Sequence, residues 1–195
     1  DMRMYASQNL KQVAGMVLVD PSADGQMARM LAAAPRLEEL QKAAYAGPAR
    51  CADMAKAGTL TPQTPGCSQP PPPDVPADLR DWAKARSGPH NFITVASELE
   101  SFNTLDTPQL VKVKRSFGSI PLIVLTGKPG LSGATPEETE AVYKVWVTMH
   151  DEMAALSTKG VNRIVPGASH YIQYEKPAVV IAAVNEVVEA VRTKR

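Results

Sequence analysis

Three short runs of strand-forming residues, each stopped by a chain-turning pair, restrict this chain to a small set of architectures. Gly15-Met16-Val17-Leu18-Val19 ends at Asp20-Pro21, Ile120-Pro121-Leu122-Ile123-Val124-Leu125 ends at Thr126-Gly127, and Val161-Asn162-Arg163-Ile164-Val165 ends at Pro166-Gly167. Short apolar runs without strict alternation suit strands covered on both faces, as in a parallel sheet. Thr135-Pro136-Glu137-Glu138 carries an N-cap, a proline at the first helical position and a glutamate at the third, so it predicts a helix start. Val142, Val145, Met149, Met153 and Leu156 are its expected buried stripe. Pro177 starts a last helix in the same way, continued by Val180, Ala183, Val184, Val187, Val188 and Val191. The order from residue 120 is strand, helix, strand, helix, which implies an α/β fold with right-handed crossovers.

Residues 21–119 contain no convincing strand, and the segment is far longer than an ordinary connection. Twelve of the 17 prolines lie between Pro21 and Pro108, which breaks the segment into short expected helices at 25–34, 36–46, 48–57, 77–86, 89–101 and 107–115. Pro70-Pro71-Pro72-Pro73 reads as an extended polyproline linker. The expected organisation is a core from residues 1–21 and 119–195 with a helical cap or lid inserted at 22–118. A helical insertion leaving the carboxyl end of a parallel strand belongs beside the crevice where such sheets bind ligands. Met2, Tyr5, Ala6, Leu10 and Val13 predict a helix over residues 1 to 12 that begins upstream of Asp1.

Charge excludes some partners. With 21 Lys+Arg against 20 Asp+Glu the formal net charge is +1, and there is no long basic run, so a general nucleic-acid or anionic-membrane footprint is missing. No apolar stretch reaches the roughly 18 residues of a membrane span. Cys51 and Cys67 are the only cysteines, and their spacing matches no zinc motif. They read as a disulfide stapling the insertion, with two separate thiols as the alternative. That pairing places the chain in a secreted or periplasmic setting, the cytoplasm being the other reading.

His170 is the most informative single residue. Pro166-Gly167-Ala168-Ser169-His170-Tyr171 sets an imidazole on a small-residue loop just past the last strand, at the ligand-binding edge of a parallel sheet. An imidazole titrates near neutrality and can take a proton from a hydroxyl nucleophile and return it to a leaving group. Asp20 ends the first strand and shares that edge, where a carboxylate would orient the ring; an Asx-turn or capping role is equally open. Glu98 and Glu100 are weaker acid candidates on a solvated helix face. His150 reads as structural or exposed, and His90 carries no specific signal. Met27 and Met30 are candidates to line an apolar substrate pocket, against core packing as the plainer reading. Gly130-Leu131-Ser132-Gly133-Ala134 approaches a nucleophile motif, but its second glycine comes one place early, and it reads as a loop.

These residues resemble the α/β-hydrolase fold superfamily. Met2-Arg3-Met4-Tyr5-Ala6 with Val13 to Pro21 looks like the helix after the nucleophile elbow and the strand behind it. Pro121 to Thr126 looks like the next strand, and Gly167-Ala168-Ser169-His170-Tyr171-Ile172-Gln173 looks like the catalytic histidine loop. In that superfamily the chain order is nucleophile, acid, histidine, with the nucleophile in a G-x-S-x-G turn. The chain has no G-x-S-x-G. The resemblance implies catalytic His170 and Asp20 and an elbow just upstream of Asp1. That elbow would lie on an N-terminal segment of the same fold, joined covalently or associated. A remnant with a non-catalytic role is the alternative. The implied activity is serine hydrolysis of a carboxylic ester or related small acyl substrate, with no cofactor or metal. The other readings are an Asp-nucleophile enzyme of the dehalogenase or epoxide-hydrolase type, or a binding module.

Overall fold

The structure, a computed structural model, describes residues 2–61, 63–67, 79, 81, 88–101, 108–109 and 116–193. Contacts divide the chain into two compact units, residues 1–37 with 107–195, and residues 38–106. In the first unit, helix α1 (Met2–Gln8) and a short 3-10 turn (Leu10–Gln12) lead to strand β1 (Met16–Val19). Helix α2 (Gln26–Ala33) follows, and helix α3 (Leu37–Lys56) crosses into the second unit, where helix α4 (Pro89–Ser101) also lies. The chain returns through β2 (Leu122–Thr126), α5 (Pro136–Ala154), β3 (Gly160–Ile164), α6 (Ile172–Glu175) and α7 (Pro177–Arg192).

The sheet is parallel throughout with order β1-β2-β3. Every residue of β2 is buried, as its apolar run requires of a central strand. β3 is an edge strand and only partly covered, so the polar Asn162 and Arg163 within it find room at its rim. Alternation along the strands assigns the two faces. Ile123 and Leu125, with Val17 and Val19, join Ala183 and Val187 of α7 and Val165, Ala168 and Ile172 in one core. Thr126 and Asp20 therefore lie on the opposite face, which α5 covers with buried Val142, Trp146, Met149, His150 and Met153. Val145 is only half-buried; the inward stripe runs through Trp146 and His150 instead.

Helix starts follow the sequence closely. Thr135 Oγ1 accepts the Glu138 N–H at 3.2 Å and Glu138 Oε2 accepts the Thr135 N–H at 2.7 Å, a complete capping box. Arg36 also grips Glu138, and the two contacts together hold its carboxyl at about 2. The insertion departs from expectation at Gly47-Pro48. The helices anticipated at 36–46 and 48–57 form one continuous α3 with Pro48 inside it. Proline removes one intrahelical hydrogen bond and strains the preceding turn; Cys51 and Ala52 just beyond it are buried, and that burial favours carrying the helix on. The sequence expectations for Pro70 to Pro73, 77–86 and 107–115 fall almost wholly outside the described residues.

Cys51 and Cys67 are joined as a disulfide with their Cα atoms 5.5 Å apart. The bridge closes a loop of sequence separation 16, and Arg50 just before it donates to the Pro65 carbonyl at 2.6 Å. Reduction is expected to lower the stability of the second unit by about 3 kcal/mol, the chain-entropy value for such a loop. Thermal unfolding followed by circular dichroism with and without reductant checks this; coincident curves would refute it. No described helix is long and apolar enough to cross a membrane.

Candidate active site

The register of the sheet brings the carboxyl ends of β1 and β2 level, since Val19 pairs with Leu125. Asp20 follows directly, its N–H bonded to the Leu125 carbonyl at 2.8 Å, and its side chain is fully buried. Its two carboxylate oxygens divide their work. Oδ1 accepts the Gly127 N–H and the Trp146 Nε1–H, both at 2.9 Å. Oδ2 faces His170 Nδ1 at 2.7 Å across 150 residues of chain. Because a carboxylate only accepts, His170 carries its hydrogen on Nδ1 and presents Nε2 as the basic nitrogen. The His170 side chain is 56% exposed, and Nε2 makes no hydrogen bond among the described residues.

The loop bearing His170 is tied at three points. The Lys128 N–H donates to the Ala168 carbonyl at 2.9 Å, and the Ser169 N–H and Oγ–H both donate to the Glu175 carboxylate at 2.6 Å. Those two bonds hold the exposed Glu175 carboxyl below its usual range. Gly127 lets the β2 end approach closely, since a Cβ there would overlap the Ser169 carbonyl oxygen. Gly127→Ala is therefore expected to push the loop outward and cost roughly 1–3 kcal/mol of stability, as overpacking does. Denaturant midpoints and the His170 titration together check it; a variant unchanged in both would contradict the close approach.

The hydrogen bond to Asp20 raises the His170 pKa above the ordinary imidazole value, with the carboxylate charge adding to it and partial burial opposing. The exposed Tyr171 ring meets the imidazole edge-on at 5.2 Å.

The other sequence candidates take no part in these hydrogen bonds among the described residues. Met30 is buried and Met27 half-buried on α2, the helix that packs against α5. Glu98 and Glu100 are exposed on α4 in the second unit, and His90 is exposed at the start of that helix. Ser132 and Gly133 form a turn. His150 is fully buried and hydrogen-bonded at both nitrogens, so it is structural rather than exposed. Sequence reading missed Trp146 and Gly127 as partners of Asp20. Trp146 falls one turn before His150 on the same helix, a spacing visible in the sequence, but nothing local marks its indole as a donor. Two grooves, one of about 540 Å³ lined by Tyr5, Gly15 and Val191 and one of about 290 Å³ lined by Pro121, Lys159 and Val161, sit at the amino-terminal edge of the sheet. They are at the opposite end of the strands from Asp20 and His170. Among the described residues no group of His, Cys, Asp or Glu side chains is arranged to hold a metal ion. Comparison with known protein families, curated proteins and solved structures finds no match for this chain.

Proposed function

We propose that the protein is a hydrolase of the α/β-hydrolase type that cleaves a carboxylic ester or related acyl substrate, with Asp20 and His170 as two members of its catalytic triad. The observation that carries this reading is the 2.7 Å bond from His170 Nδ1–H to a buried carboxylate at the carboxyl edge of a parallel sheet. That bond leaves Nε2 of the half-exposed ring basic. In this reading a serine hydroxyl from an N-terminal segment of the same fold, covalent or associated, attacks the acyl carbon. His170 Nε2 takes its proton and passes it to the departing alkoxide, and Asp20 stabilises the imidazolium in between. Water then attacks the acyl-enzyme with His170 again as base, releasing the acid. The helical insertion is read as a cap, with Met27 and Met30 offered to the acyl chain. The disulfide supports an oxidising compartment.

The test is labelling of the full-length protein with a fluorophosphonate, followed by peptide mapping, beside turnover of a p-nitrophenyl ester series. A labelled serine in a G-x-S-x-G turn with ester turnover is expected. The absence of both labelling and turnover would sink the serine reading, and an aspartate at the elbow would move it to the Asp-nucleophile class.

Turnover depends on neutral His170, whose pKa is raised. Activity should rise with pH through a midpoint above about 6.5, the free imidazole value. The stability contribution runs the other way: it is complete below the unfolded-state pKa and is lost as pH rises through the folded one. A kcat/KM profile with its midpoint at or below the free value would contradict the pairing.

A further inference from the structure

Asp20 holds a left-handed backbone, φ 44°, although it carries a Cβ and precedes a proline. Side chains rarely adopt that region, and the ring of a following proline narrows the choice further. Such a conformation persists where the surroundings hold the chain on both sides of it. On the amino side the Asp20 N–H is bonded to Leu125. On the carboxyl side the next carbonyl, Pro21 O, lies 2.8 Å from His150 Nε2. A carbonyl only accepts, so Nε2 carries the hydrogen.

His150 is itself fixed in every direction. Its Nδ1 is 2.6 Å from Thr126 Oγ1, which donates its hydrogen to Asn162 Oδ1 at 2.6 Å; Asn162 Nδ2 donates in turn to Asp151 at 2.9 Å. The chain thus ties the ends of β1 and β2 and the middle of β3 to α5. The Trp146 ring lies 4.7 Å from the imidazole, while its own Nε1–H bonds Asp20 Oδ1. The charged groups acting on His150 are Asp20 beyond β1, Asp151 on its own helix and Arg3 on α1. Burial outweighs the two carboxylates and the Pro21 carbonyl and pushes the ring below its ordinary pKa.

We propose that His150 is a positioning residue for the Asp20–His170 pair, its Nε2–H anchoring the Pro21 carbonyl so that the left-handed turn at Asp20 aims the carboxylate at His170. This rests on the reading of Asp20 and His170 as a catalytic pair, but its first test needs no turnover. In full-length protein labelled with ¹⁵N-histidine, His150 is expected to show protonated Nε2 at neutral pH, and His170 to titrate above the ordinary imidazole range. His150→Gln, whose amide N–H can reach the Pro21 carbonyl, should keep the raised His170 titration. His150→Leu, with no donor, should return it to the ordinary range and lower kcat on the order of 10²-fold, as a displaced catalytic group does, with KM little changed.

A folded His150→Leu protein that keeps the raised titration and full kcat would overturn the proposal, as would an unprotonated His150 Nε2 in the unaltered protein. If the leucine variant does not fold, the protonation of Nε2 decides alone. The expected His150 and His170 signals in a protein with no ester turnover would uphold the positioning and overturn the hydrolase reading instead.

Discussion

Asp20→Asn should lower ester turnover by about 10⁴-fold while leaving the protein folded, the largest effect expected for a change of one heavy atom. Two amide orientations compete. If Asn Oδ1 keeps the Gly127 N–H and Trp146 Nε1–H, its NH2 group points at His170 Nδ1. If the amide turns the other way, its NH2 group meets two buried donors and orphans both, at about 1–3 kcal/mol each. The first orientation therefore wins. It forces His170 to accept at Nδ1 and to carry its hydrogen on Nε2, where it can no longer take a proton from a hydroxyl. Steady-state kinetics with an ester substrate, beside a melting curve and the ¹⁵N shifts of His170, checks both halves. Full activity in a folded Asn variant would move the acid role away from Asp20, to Glu98, Glu100 or an upstream carboxylate.

On the proposed mechanism His170→Ala should abolish turnover to a similar or greater extent, by about 10⁴-fold or more, because members of a catalytic triad act as a unit. Its cost in stability should be small. The side chain is more than half exposed and makes one hydrogen bond among the described residues. Asp20→Ala contrasts with this, since it strands the Gly127 N–H and the Trp146 indole in the interior. An alanine at 170 that destabilised the protein as much as one at 20 would mean that the pair is a structural bridge. Undiminished ester turnover in the His170 variant would remove the catalytic assignment altogether.

Particular residues show where sequence reading stops. The strand ends at Asp20, Thr126 and Pro166 were legible because a turn-forming residue interrupts an apolar run within a few positions. The Thr135 capping box was legible for the same reason: all its partners lie within four residues. Pro48 is a local helix breaker, but the buried Cys51 and Ala52 beyond it favour one continuous helix, which no local rule shows. For His150 the sequence left a structural and an exposed place open, because Asp151 and Glu152 beside it are exposed while Met149 is buried. The periodicity through Val142, Trp146, Met149 and Met153 does place His150 on the buried face, but only once Trp146, rather than Val145, is recognised as inward.

The amino-acid sequence by itself determined the parallel α/β order, the helix starts and the placing of Asp20 and His170 beyond strand ends, since each depends on hydrogen bonding and hydrophobic period over short stretches of chain. Only the tertiary structure decided that Asp20 Oδ2 meets His170 Nδ1, that Trp146 and Gly127 hold Oδ1, and that His150 reaches the Pro21 carbonyl. Those contacts join residues 107 to 150 positions apart. They depend on the register that sets β1 level with β2 and on the helix that covers one face of the sheet, neither of which any short stretch of sequence encodes.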